Sequence, residues 1–191
     1  MSEPALYPGC YSSNVMKIFV EHLDHHTSQV LDVGPVCESN IHFLADRARR
    51  VLVCDLFLRL VRCRREGNAE LQALLDLDFP ANSADGILLW DVVDRLEDPE
   101  VLDLVGRCKR MIRPDGMLMM VVLGKEAVSA EVKSFAIKDG AELDARDQPH
   151  LSRLPVRRRN DRVLTELFAP FRTIKAFVYH HGHKEFLMTS G

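Results

Sequence analysis

Three stretches place carboxylates at the ends of apolar runs, where such side chains can take hydrogen bonds from a ligand. The first, QVLDVGPVCESN at 29–40, carries Asp32 in a run that breaks at Gly34-Pro35 and gives way to a helical pattern near Cys37-Glu38-Ser39. A strand, a sharp turn and a helix start leave backbone N–H groups free to hold polar or anionic ligand groups. The second, RVLVCDL at 50–56, ends at Asp55 and Leu56. A carboxylate at the tip of such a strand can accept both hydroxyls of a ribose. The third, Asp76-Leu77-Asp78, offers an acceptor beside an apolar side chain, and Trp90-Asp91 leaves a further apolar run, GILLW. No side chain reads as a nucleophile or general base.

Each of these residues also has a plainer role to fill. Asp55 can cap the following helix or pair with the basic run RCRRE at 62–66, and Asp32 can brace its own turn. Asp76 and Asp78 can be ordinary loop carboxylates, and Trp90 an aromatic at the edge of the core. His22, His25 and His26 fall at helical spacing, but no cysteine or carboxylate pattern completes a metal site. His180, His181 and His183 beside Tyr179 read as a surface hairpin tip, because alternation along a strand sends neighbours to opposite faces. No metal is expected. Arg153, Arg157, Arg158, Arg159 and Arg162 form the densest basic group. They can serve an anionic substrate, although such runs are usually solvated, and no interleaved aromatics support nucleic acid.

The elements that must position these residues follow from periodicity. A helix capped by Ser13 or Asn14 runs to about residue 25, with Val15, Ile18, Phe19 and Leu23 on its apolar stripe. Strand 29–33 is followed by helix 38–48, whose inward face is Ile41, Leu44, Ala45 and Ala48 with Phe43 on the flank. Strand 50–56, a short helix at 58–65, a weaker strand candidate at 69–77 whose Leu-rich stretch could also be helix, and strand 86–90 come next. Pro99 opens a helix through Arg113 with Val101, Leu102, Leu104, Val105, Cys108 and Ile112 on its core side. Pro114-Asp115-Gly116 turns the chain into strand 117–123. Residues 124–160 read as polar and irregular, with one short helix or hairpin at 128–137; helix 161–168 and two strands at 173–180 and 185–190 close the chain. So short a last connection requires an antiparallel pair. The expectation is an α/β, Rossmann-like doubly wound sheet, mostly parallel and ending in an antiparallel hairpin. Its division is an N-terminal arm and helix at 1–28 and one domain at 29–191, with a variable insert or lid at 124–160.

The whole-chain properties agree. At 191 residues, 47% hydrophobic and 28% charged, the chain suits one full core. A net charge of −3 and a pI of about 6.2 argue against nucleic acid or an anionic membrane as partner. No run approaches the roughly 18 apolar residues of a membrane span, and the first ten residues lack a secretory pattern. Cys10, Cys37, Cys54, Cys63 and Cys108 are odd in number and scattered, as expected of reduced thiols in the cytoplasm. Oligomeric state is not readable.

In this setting the chain resembles the class I S-adenosylmethionine-dependent methyltransferases, over about 29–125 by motif and beyond by element order. VLDVG looks like the family's first motif, and Asp55 stands where the family places the acidic residue that holds the ribose. LDFPANSADGILLWDVVDRLEDP and VLDLVGRCKRMIRPDGMLMMVVL look like its following strand–helix stretches, with Pro114-Asp115-Gly116 in place of Pro-Gly-Gly. The resemblance implies a seven-stranded fold, S-adenosylmethionine as cofactor and S-adenosylhomocysteine as product. The implied cofactor residues are Asp32, Gly34, Pro35, Asp55, Leu56, Asp76, Leu77, Asp78 and Trp90. An Asn-Pro-Pro-Tyr motif for base amines is absent after Leu88-Leu89, which leaves a small-molecule acceptor as the expectation. Val36 and Glu38 stand at the family's second and third glycine positions, and Pro35 removes an N–H donor. These changes motivate the alternative of a non-catalytic, methyltransferase-like binding protein.

Overall fold

The computed structural model describes residues 9–66, 79–124, 131–151 and 154–191. Chain order begins with β1 (Cys10–Ser12), α1 (Asn14–Glu21), β2 (Gln29–Val33), α2 (Glu38–Ala45), β3 (Arg50–Cys54) and α3 (Leu56–Glu66). Next come β4 (Ala84–Trp90), a 3₁₀ turn (Val93–Arg95), α4 (Asp98–Met111) and β5 (Ile112–Leu123). The chain ends with β6 (Lys133–Lys138), β7 (Glu142–Asp147), α5 (Asp161–Leu167), β8 (Arg172–Val178) and β9 (His183–Thr189). Among the described residues the central sheet has six strands in the order β3-β2-β4-β5-β9-β8. The first four are parallel, and β9 and β8 run antiparallel. The weaker strand candidate at 69–77 lies outside the described residues.

Why the sheet is central can be read from its side chains. Along β4 Ile87 and Leu89 face one apolar cluster with Leu60, Leu104 and Phe168, while Leu88 and Trp90 face another with Phe19 and Leu44. β5 alternates in the same way, Leu118 and Met120 against Met119 and Val121. Apolar residues on both faces are the pattern of a parallel strand covered on both sides. Helices α3, α4 and α5 cover one side; α1, α2 and a second sheet cover the other.

That second sheet corrects the sequence expectation. Residues 131–147 hold the antiparallel pair β6 and β7, turned at Asp139-Gly140-Ala141, where Gly140 has φ 70°. β1 joins the far edge of β7, pairing Tyr11 with Leu143. The order is β1-β7-β6. The N-terminal strand and the polar insert therefore share one ladder. Charged residues had hidden the strands: Lys133, Lys138, Asp144 and Arg146 break the apolar run, yet their heads pair locally with Asp147 and Asp144.

Several boundaries also move. α1 is capped by Ser13 as expected but stops at Glu21, because Asp24 accepts from His26 N and Thr27 N and draws the chain into a turn. α2 ends at Ala45, with Asn40, Phe43 and Leu44 as its buried face and Ala45 exposed. Leu102 was assigned to the core side of α4 and is 53% exposed. Pro114-Asp115-Gly116 does not separate helix from strand but forms a bulge within β5, with Asp115 at φ 62°.

Candidate functional site

The carboxyl ends of β2, β3 and β4 lie side by side. Asp32 pairs with Val53 and Leu88, and Val33 with Cys54 and Leu89, so Gly34 and Asp55 are the next residues off adjacent strands. Gly34 N donates to Cys54 O at 3.1 Å, which fastens the turn beside Asp55. Asp55 Oδ1 accepts from Leu58 N at 3.0 Å and so caps α3. Among the described residues no further hydrogen bond engages that carboxylate, and the residue is partly exposed. Leu56 turns fully into the core. Pro35 is half-buried and Val36 is 58% exposed at the outer side of the turn. Asp76, Leu77 and Asp78 lie outside the described residues.

Asp32 is buried and already engaged. Trp90 Nε1 donates to its Oδ1 at 2.5 Å, and the Asn40 side chain lies beside the carboxylate. Burial outweighs these polar contacts and pushes the Asp32 carboxyl up to about 6. The Trp90 side chain, 1% exposed, lies directly over the turn: a Cβ on Gly34 would stand 2.8 Å from Trp90 Cδ1 and 2.9 Å from Trp90 Cβ. Glycine is required here by close approach rather than by its own backbone angle. Phe135 of β6 stacks on the indole with ring centroids 5.5 Å apart and planes 19° apart. Asn40 then bridges two backbone groups of β6, donating to Phe135 O at 2.8 Å and accepting from Ile137 N at 2.7 Å. Sequence reasoning had named Asp32 and Trp90 but neither Asn40 nor Phe135. Asn40 stood in an ordinary helical pattern, and Phe135 in a segment read as irregular.

Beyond Trp90 the chain turns sharply, with Asp91 at φ 52°. Asp91 Oδ2 takes Arg95 Nη2 at 2.8 Å and Lys133 N at 3.1 Å, and Asp94 Oδ2 takes Leu123 N at 2.5 Å. Burial drives both carboxyls upward, Asp91 to about 6 and Asp94 to about 7, with the Asp91 charge adding to Asp94. The basic run is explained in part by the same region. Arg159 donates to Val93 O at 2.8 Å and Leu96 O at 2.6 Å and pairs with Asp98, while Arg157 N donates to Asp94 O at 2.7 Å. Arg159 is a structural tie, not a solvated charge.

The histidine-rich connection is a second correction. His180 is exposed, but His183 is 1% exposed and its Nδ1 lies 2.8 Å from His181 Nδ1. Burial holds the His183 imidazole down at about 3, so it is neutral. Beside it Glu185 accepts from Tyr11, Ser13 and Tyr179. These residues anchor β1 to β9. Among the described residues no group of three or more histidine, cysteine or acidic side chains is placed to hold a metal.

Comparison with known proteins is consistent with this geometry. The family described as methyltransferase domain matches residues 31–120. An S-adenosylmethionine-dependent methyltransferase from Mesorhizobium loti superposes with TM-score 0.59 at 14% identity, covering 91% of this chain and 95% of that one. The N-methyltransferase NodS from Bradyrhizobium japonicum gives 0.57 at 14% identity over 92% of each chain. A Burkholderia thailandensis 1,6-didemethyltoxoflavin-N1-methyltransferase, solved with its substrate and S-adenosylhomocysteine, gives 0.54 at 17% identity, covering 93% and 78%. No curated protein sequence matches. The domain match spans the same strands whose ends meet at Gly34, Asp55 and Trp90, and the likeness to solved structures extends the fold over nearly the whole chain. Residues 31–120 thus match a methyltransferase domain, and the sheet architecture is that of the solved methyltransferases to which the chain is similar.

Proposed function

We propose that the protein transfers a methyl group from S-adenosylmethionine to a small-molecule acceptor. The observation that carries this reading is Asp55: a partly exposed carboxylate at the tip of β3, locked beside the turn of β2 by the Gly34 N to Cys54 O bond. One oxygen serves the α3 cap, and the carboxylate retains acceptor capacity for ribose hydroxyls. Asp76, Leu77 and Asp78 are proposed for the purine edge, and Gly34 and Pro35 for the amino-acid arm. Leu56 contributes through its backbone, since its side chain is in the core. When bound, the sulfonium supplies the electrophilic methyl, and positioning does most of the remaining work. The resident residues fit the ribose end of this cofactor. At the turn end, Trp90 fills the space against Gly34.

The terminal β8–β9 pair is proposed as the family's sixth and seventh strands, with a further strand before β4, 1–28 as the N-terminal unit and 124–160 as the substrate-facing insert. All five thiols are unpaired, which supports the cytoplasm as the compartment. Among the described residues no helix is long and apolar enough to cross a membrane. Isothermal calorimetry with S-adenosylmethionine and S-adenosylhomocysteine tests the reading. Asp55→Asn keeps an acceptor for the α3 cap and loses the charge; it is expected to weaken binding by about 1.5–3 kcal/mol, on the order of 10–150-fold. Absence of heat and of thermal shift at millimolar ligand, in the folded native chain and in folded Trp90→Phe alike, refutes it and leaves the non-catalytic alternative.

A further inference from the structure

Trp90 fills the space beside the Gly34 α-carbon, at the turn where the amino-acid arm of the ligand is proposed. The indole touches the Gly34 α-carbon region so closely that even a methyl group would not fit between them. Its Nε1 is committed to Asp32, two residues before the turn glycine. Its other face is covered by Phe135, and Phe135 is carried by a strand whose backbone is clamped to α2 through Asn40. The indole joins the end of β4 to β2, while the ring stack and the Asn40 bonds join the end of β4 and α2 to the second sheet. The second sheet is in turn tied at its far edge by β1, through Tyr11 and Ser13 to Glu185.

We propose that Trp90, Asp32 and Phe135 form an autoinhibitory latch that closes the cofactor site, and that opening it requires the indole to leave Gly34 and Phe135. This rests on the cofactor reading given above. In the open state Asp32 is freed to face the ammonium end of the ligand, and the space beside Gly34 is vacated. The closed state is held by one short hydrogen bond, one ring stack and tight van der Waals contact. A protein whose binding-competent form is a minor population shows an apparent affinity reduced by that fraction. Loosening the latch therefore tightens binding even though it removes contacts from the folded protein.

Trp90 is the single tryptophan, so its emission reports the latch directly. The experiment is a titration of the full chain with S-adenosylhomocysteine, followed in parallel by calorimetry and by tryptophan emission. The latch requires a red shift on binding and an observed association rate that levels off with ligand concentration. Trp90→Ala is expected to bind about tenfold more tightly or better. Trp90→Phe, which keeps a ring against Phe135 and loses only the donor to Asp32, is expected to fall between; it carries the test if the alanine variant does not fold. Binding by a variant but not by the native chain also supports a latch. Native binding with unmoved emission overturns it, as does equal affinity in the folded variants. If neither the native chain nor a folded variant binds, the cofactor reading falls and the latch falls with it.

Discussion

Gly34→Ala tests the packing at the centre of the site without any ligand. The added Cβ would stand 2.8 Å and 2.9 Å from Trp90 Cδ1 and Cβ, well inside normal carbon contact, and the second of these atoms cannot swing away. Trp90 is held from the other sides by Asp32 and Phe135, so the strain cannot be relieved by a simple rotamer change. Overpacking of this kind costs about 1–3 kcal/mol, and for a chain of this size each kcal/mol lowers Tm by about 2–4 °C. Urea denaturation of the native chain, Gly34→Ala, Trp90→Gly and the double variant closes the cycle. Trp90→Gly removes both clashing atoms, so Gly34→Ala should become nearly neutral in that background. The expected coupling is on the order of 1–3 kcal/mol. Additivity within about 0.5 kcal/mol would show that the indole does not rest on the turn, and the latch would lose its physical basis.

Asp91 and Asp94 make stability depend on pH. Their folded-state carboxyls titrate at about 6 and about 7, above the ordinary value of 3.8, so between these limits the native state holds more protons than the unfolded chain. Stability therefore falls as pH rises through this window, and Tm should be higher near pH 5 than near pH 8; Asp94→Asn, which keeps an acceptor for Leu123 N, should flatten that fall. Asn40→Ala leaves Phe135 O and Ile137 N without their partner and should cost about 1–3 kcal/mol for each buried group left unpaired, with faster amide exchange at Ile137. Arg159→Lys cannot span Val93 O, Leu96 O and Asp98 together and should lower Tm measurably, whereas Arg162→Ala, at a side chain 88% exposed, should change stability by less than about 0.5 kcal/mol.

What the sequence determined by itself was the order of elements and the strand ends. Runs such as VLDVG, GILLW and MLMMVVL announce buried parallel strands because both faces are apolar, and Asp55 announces a strand tip because a charge cannot continue into such a core. These are local properties, readable one segment at a time. The second sheet was not legible, since β6 (KSFAIK) and β7 (ELDARD) are short and mixed in charge and β1 lies about 130 residues away from its partner in the chain. Nor could the sequence say that Asp32 would be taken by Trp90, since 58 residues separate donor from acceptor. That bond, the stack with Phe135 and the burial of His183 exist only because sheet register brings remote segments together. The motif thus places the strand ends at which a cofactor is proposed to bind, and tertiary packing decides that Trp90 and Phe135 fill the space beside them.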